Sequence, residues 1–358
     1  MLALCRIRPV MEQRTEHISL PGKGVVLPKE WYDWRWQWKN RIQRLEQLAA
    51  FGAYPSFAYQ GLVNTYPFGI TPYYLSLIDR DDENDPLRKQ CFPDLKEVDY
   101  SLGGVCDPLQ EEGSMPVPGV VRRYPDRCLT LVTNSCVTYC RHCNRKRRWR
   151  EKASGATKEE LQIMLDYIAQ QAGIREVIVS GGDPLTLNEG LLDWFLGSLR
   201  AIPHVEVLRL GSRIPAVLPM RITKGLCRML ARHRPLWFNT QFNHVREITA
   251  DAALACEMLL TSGIPLANQS VLLKGVNDSV ETMRSLLYGL QRIGVKPYYL
   301  FQCEPVAGTD HFRVDLEQGR EIMATLRRTI SGLCLPLYVL DTPGEGGKVP
   351  LEQVVRKS

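Results

Sequence analysis

Cys136, Cys140 and Cys143 stand four and three residues apart in Cys136-Val-Thr-Tyr-Cys140-Arg-His-Cys143. Thiolates are soft ligands that suit zinc or iron–sulfur clusters. A structural zinc site takes four protein ligands, usually as two short pairs. No second pair accompanies these cysteines, so a zinc site here would have to recruit His142. Three thiolates on a four-iron cluster instead leave one iron without a protein ligand, open to a substrate. The 11 cysteines are odd in number and scattered, which fits a reducing compartment better than a disulfide framework. The cytoplasm is the expected location.

A second constellation lies near the other end of the chain, Asp341-Thr-Pro-Gly-Glu-Gly-Gly-Lys348. It lacks the GxxxxGK[ST] phosphate loop, because Val349 follows the lysine. Two readings stay open from the residues alone: a solvated lysine in a flexible tail, or a lysine that forms a Schiff base with pyridoxal phosphate. That cofactor also needs cations for its phosphate. Arg122-Arg-Tyr-Pro-Asp-Arg127 can supply guanidinium forks. A third cationic stretch, Arg145-Lys-Arg-Arg-Trp-Arg150, would suggest nucleic acid if met alone. Such runs are more often solvated faces. Because this one follows the cysteines directly, Arg145 alone is expected to point inward, towards an anionic ligand, and no nucleic-acid partner is expected.

The elements that must position these groups are legible from periodicity. At 358 residues, 44% hydrophobic and 23% charged, with a net charge of +6, the chain is an ordinary globular protein of one or two domains. It has no apolar run of the roughly 20 residues that span a membrane. Residues 1–27 read as a loose arm. Pro28 opens a helix whose apolar face would run through Trp31, Trp34, Trp38, Ile42 and Leu45. Thr71-Pro72 marks a short helix reaching Ile78. Residues 79–118 are acidic and proline-rich and read as irregular structure. Alternation then takes over: strands at 129–133, 176–180, 205–210, 236–242, 266–273, 297–302 and 337–340, separated by helices. The helix at Leu161–Ile168 opens with the capping box Thr157-Lys-Glu-Glu160. Strand–helix alternation of this kind predicts a parallel sheet with right-handed crossovers. Polar residues gather after the strands, at Gly181-Gly182-Asp183, Gly211-Ser-Arg213, Asn243-His244, Gln302-Cys-Glu304 and Asp341, where barrel enzymes place their sites. The expected fold is an incomplete (β/α) barrel of about six units with an N-terminal helical extension. Its expected divisions are the extension at 1–115, the barrel at 116–345 and a lysine turn with a short tail at 346–358.

The CxxxCxxC spacing, with Tyr139 before the second cysteine, resembles the radical S-adenosylmethionine (SAM) enzymes. Together with Arg123-Tyr-Pro-Asp-Arg127, Ser180-Gly-Gly-Asp183, Asn268-Gln-Ser270 and Asp341…Lys348, it resembles the lysine 2,3-aminomutase family in both order and spacing. The resemblance implies a [4Fe–4S] cluster on Cys136, Cys140 and Cys143, with SAM on the open iron. It implies pyridoxal phosphate on Lys348, with its phosphate near Arg123, Tyr124 and Arg127. Gly181, Gly182, Asp183 and Gln269 would contact cofactors, Arg145 the substrate carboxylate, and Glu304 and Asp341 the substrate's distal ammonium. The implied reaction moves the α-amino group of a cationic amino acid to its β-carbon, L-lysine first and arginine second. A lysine side chain on elongation factor P is a further substrate implied by the family's relatives. The implied partners are a free amino acid and a reductant such as flavodoxin or ferredoxin.

Three departures from the family pattern bear on these expectations. Glu304 stands where lysine-specific members carry Asp. Gln241 stands where His is frequent. Only ten residues follow Lys348 and Ser279 replaces a cysteine, so any homo-oligomer is expected to form without a zinc-bridged tail.

Overall fold

The structure is a computed structural model describing residues 18–20, 24–26, 28–52, 57–99, 103–151, 153–344 and 347–351. Most of the expected loose arm lies outside the described residues. Two short strands within it, β1 (Ile18–Leu20) and β2 (Gly24–Val26), pair antiparallel.

The main sheet has nine strands in strictly sequential order. They are β3 (Val120–Val121), β4 (Arg127–Leu131), β5 (Glu176–Ser180), β6 (Val207–Gly211), β7 (Leu236–Thr240), β8 (Leu266–Leu272), β9 (Lys296–Gln302), β10 (Leu337–Thr342) and β11 (Gly347–Pro350). From β4 to β10 every neighbouring pair is parallel. Parallel neighbours need a crossover, and the chain supplies a helix each time. The longest are Lys158–Gln170, Glu189–Arg200, Ala250–Thr261, Val280–Arg292 and Leu316–Thr329. The sheet ends in antiparallel edges, β3 on β4 and β11 on β10, and β3 does not pair with β11. It is therefore an incomplete barrel, as expected. The difference lies at its edge: Gly347–Pro350 is a strand of the sheet, not a turn beyond it.

Strand alternation decides which residues face the site. On β5, Val177 and Val179 are fully buried in the apolar core, while Glu176, Ile178 and Ser180 line a cavity on the other face. On β6, Leu208 and Leu210 are buried and Arg209 and Gly211 line the same cavity.

The N-terminal segment shares this core, since Trp31, Leu48, Ile70, Tyr74 and Phe92 belong to one cluster with the barrel residues. Two details of that segment differ from expectation. The tryptophan stripe is not one helix. Asp33 accepts a hydrogen bond from the Arg35 N–H and caps a fresh helix, Trp34–Lys39, after the turn Pro28–Trp31. Ile42 instead bridges to Ile70. Within 79–118, Asp85 caps a short helix, Pro86–Cys91.

Candidate active site

The concave face of the sheet encloses a cavity of about 550 Å³, a volume typical of small-ligand sites. Its lining runs from the cysteine loop to the lysine strand and includes Cys136, Cys140, Cys143, Arg145, Gln269, Glu304, Asp341 and Lys348. The two constellations lie about 200 residues apart in sequence and meet across one cavity because the sheet curls.

The cysteine loop leaves β4 and is fastened on several sides. Arg41 Nη1 donates to the Cys136 carbonyl at 2.7 Å. The Tyr139 N–H donates to the Gly69 carbonyl and the Arg141 N–H to the Gln90 carbonyl. Behind the loop, the Gly182 and Asp183 N–H groups donate to the Thr133 and Ser135 carbonyls at 2.6 and 2.8 Å. That approach needs glycine: a Cβ at Gly181 would lie 2.3 Å from the Thr133 oxygen, and one at Gly182 2.3 Å from that of Ser135. Asp183 spends its buried carboxylate on Ser212 Oγ, at 2.8 and 2.9 Å, and on the Leu185 and Arg213 N–H groups. These three residues thus shape and brace the cleft floor.

Burial, then the neighbouring thiols, hold the Cys136 thiol well above its usual range and push Cys143 up to about 11. Arg213 Nη1 donates to Cys140 Sγ at 2.7 Å. Crowded thiols of this kind ionise together only beside compensating cations, which fits a shared metal cluster. Among the described residues no three His, Cys, Asp or Glu side chains converge on a single-ion site. His142 turns its Nε2 to the amides of Asn243, 3.2 Å away, and Gln241, 3.4 Å away.

At the other end, Lys348 and Asp341 are register partners on β11 and β10. Lys348 Nζ lies 3.3 Å from Asp341 Oδ2, and Arg123 Nη2 lies 3.0 Å from Asp341 Oδ1. Arg127 stacks its guanidinium over the Tyr124 ring at 3.6 Å. Arg123 Nε, Tyr124 Oη and Arg209 Nε are buried without hydrogen-bond partners, and all three residues line the cavity. Orphaned donors of this kind are rare in folded proteins. Together they suit the oxygens of a phosphate, so this end fits pyridoxal phosphate. Gln269 also reaches the cavity, helped by a register shift between Asn268 and Gln269. Asn268 and Ser270 are buried and bond to the Phe242 backbone and to each other.

Glu304 sits between the two ends. It is 8% exposed and its Oε2 has no partner. Burial and the neighbouring Asp341 push its carboxyl up to about 8. Of the two acids expected to hold an ammonium, Asp341 is already paired and Glu304 is open. Arg145, expected to await a carboxylate, is held by Glu111, with Nη2 2.6 Å from Oε1.

The reading that reserved inward orientation for Arg145 is too narrow. Lys146 is fully buried and bonds Glu97 at 2.6 Å, while Arg147 pairs with Asp107, Glu111 and Glu112. Sequence reasoning also gave no role to Arg209, Arg213 or Glu111. Arg213 was signalled only by its place after a strand, Arg209 lies within β6, and Glu111 was concealed in the acidic stretch.

The site is that of a radical SAM protein: the Radical SAM superfamily pattern matches residues 130–287. L-lysine 2,3-aminomutase of Clostridium subterminale is 45% identical over 91% of this chain and 79% of its own length. A putative L-lysine 2,3-aminomutase of Aquifex aeolicus is 46% identical over 90% and 88%, and the glutamate 2,3-aminomutase of Clostridioides difficile 42% over 90% and 77%. The chain belongs to the lysine 2,3-aminomutase family and is an enzyme of the isomerase class. No helix among the described residues is long and apolar enough to cross a membrane.

Proposed function

We propose that this enzyme moves the α-amino group of L-lysine to the β-carbon, with Cys136, Cys140 and Cys143 holding a [4Fe–4S] cluster that binds SAM and Lys348 holding pyridoxal phosphate. The observation that carries the substrate choice is the open, buried Glu304 beside Asp341. In a poorly screened cavity an arriving ammonium favours the ionised form of Glu304 and pairs with it, whereas an anionic side chain gains no such partner there.

When bound, the cofactors supply a radical able to break an unactivated C–H bond and an imine that carries the migrating nitrogen. The chain's own residues bind, orient and enclose. Lys348 presents its amine from β11, with Asp341 at its side. Arg123, Tyr124, Arg127 and Arg209 offer donors to the phosphate. Glu304 takes the substrate's distal ammonium and surrenders its proton on doing so. Arg145 orients the substrate carboxylate. The curled sheet keeps water away from the reacting carbon, and holding the reacting groups in register is itself a large part of catalysis. A one-electron reductant such as flavodoxin or ferredoxin is required, and the enzyme works in the cytoplasm, any homo-oligomer forming without a zinc-bridged tail.

The test is a substrate panel on the reconstituted enzyme with L-lysine, L-arginine and L-glutamate. Turnover should be fastest with L-lysine. Preference for glutamate would overturn the assignment of Glu304 and Asp341, and preference for arginine would move the substrate within the cationic class.

A further inference from the structure

Arg145 is not a free cation. Its Nε lies 3.1 and 2.9 Å from the two oxygens of Glu111, and its Nη2 lies 2.6 Å from Oε1. Glu111 is 3% exposed. Burial alone would raise its carboxyl, but Arg145 and then Arg147 overrule burial and bring it down to about 2. Arg147 is tied in turn to Asp107 at 3.1 Å and Glu112 at 3.0 Å. One whole edge of the Arg145 guanidinium is therefore occupied by a carboxylate that is itself anchored. Nη1 is left with no hydrogen bond among the described residues.

A competing carboxylate is close by. Asn144, Arg145 and Glu304 line the same cavity, and Arg145 and Glu304 attract each other across it. Glu304 keeps a buried oxygen without a partner. An arginine and a carboxylate in such a space form a strong bidentate pair when nothing holds them apart.

We propose that Glu111 is a positioning residue that keeps Arg145 on its own side of the cavity. It presents the free edge of the guanidinium to the substrate carboxylate and withholds that cation from Glu304, which takes the substrate's side-chain cation. Without Glu111, Arg145 turns to Glu304, and a single internal ion pair disables both ends of the substrate site. The proposal rests on the substrate reading given above for what the two ends hold, but the separation of the charges can be tested without substrate.

Asp341, Asn144, Glu111 and Arg145 share the cavity with Glu304 and act on its charge. Its titration in substrate-free, cofactor-loaded protein is followed by difference infrared spectroscopy, the band being identified by its loss in Glu304→Gln. The midpoint should fall by about one pH unit or more in Glu111→Gln, more than the loss of the Glu111 charge alone would give, because Glu304 gains a cationic partner. The part due to Arg145 should vanish when Arg145→Met is added, leaving only the small fall from the lost Glu111 charge. Glu111→Asp keeps the charge and should shift the midpoint part way, and it serves if Glu111→Gln does not fold. Calorimetry with L-lysine and L-lysinamide gives the second reading. Glu111→Gln should weaken both about tenfold, the equivalent of about 1.4 kcal/mol, because the cation end is lost as well. Arg145→Met should weaken L-lysine and spare the amide. An unchanged Glu304 midpoint overturns the proposal, as does wild-type affinity of Glu111→Gln for the amide. If the wild type binds neither probe, the substrate reading fails and the titration alone decides the role of Glu111.

Discussion

The two ends of the cavity are built in opposite ways. The cysteine end is fastened by partners from separate parts of the chain: Arg41, Gly69, Gln90 and Arg213 all bond the loop between Cys136 and Arg141. The lysine end rests on one edge strand, whose pairing with β10 sets Lys348 opposite Asp341. Its side chain keeps 27% exposure, against 0% for Lys146, which bonds the cysteine loop. The difference matches the chemistry proposed for each. Cluster ligands must hold one geometry, and preorganisation serves them. A lysine that would hold the cofactor needs access to the cavity, and its place on the edge strand gives it that access.

Breaking the rigid end should cost most. Cys136→Ala, Cys140→Ala or Cys143→Ala should abolish cluster loading by iron count. Cys128→Ala and Cys303→Ala should retain it, since neither belongs to the Cys136–Cys143 loop that supplies the three ligands.

Breaking the lysine end should cost all amino migration but not the upstream chemistry. Lys348→Ala should give no rearranged product while reductive cleavage of SAM stays measurable by chromatography. Near-normal migration in that variant would remove Lys348 from its role.

The space between the ends should respond more mildly. Glu304→Gln removes a charged acceptor worth about 1.5–3 kcal/mol and should raise KM for L-lysine about ten- to hundredfold. The sign of the pH effect follows from the raised carboxyl. Below about 8 the empty site holds a proton on Glu304, and a lysine ammonium, charged until about 10.4, must expel it. Affinity should therefore climb with pH and level off near 8. In Glu304→Gln this climb should disappear. A wild-type profile that is flat from neutrality upward would contradict the assignment.

The smallest effect should come from Gly347, the first residue of β11, just before Lys348. Gly347 has φ of +58°, and a Cβ there would lie 2.7 Å from Tyr124 Oη. Gly347→Ala should cost about 1–2 kcal/mol locally, seen as a few-fold weaker retention of pyridoxal phosphate on dialysis with the cluster unchanged.

Much of this contrast was legible before the fold. The seven parallel strands announced themselves through alternation, and the Thr157 capping box formed as read, with Thr157 accepting from the Glu160 N–H. The tryptophan stripe misled because Asp33 restarts the helix after one turn, a local competition that periodicity averages away. The helix at Pro86–Cys91 spans six residues, too few for a period, although Asp85-Pro86 is a visible cap signal. Glu111 and Arg145 are 34 residues apart, and nothing local marks a carboxylate for a distant guanidinium. The buried Lys146 was hidden for the same reason, because its partner Glu97 lies 49 residues away.

The most direct test of the central claim follows the nitrogen. The enzyme, reconstituted anaerobically with iron, sulfide, SAM and pyridoxal phosphate and reduced with dithionite, is given L-lysine labelled with ¹⁵N at the α-amino group. NMR should find the label bonded to the β-carbon of the product, with the side-chain nitrogen unlabelled. Label that stays on the α-carbon while SAM is cleaved would contradict the assignment of this cavity to a lysine 2,3-aminomutase reaction.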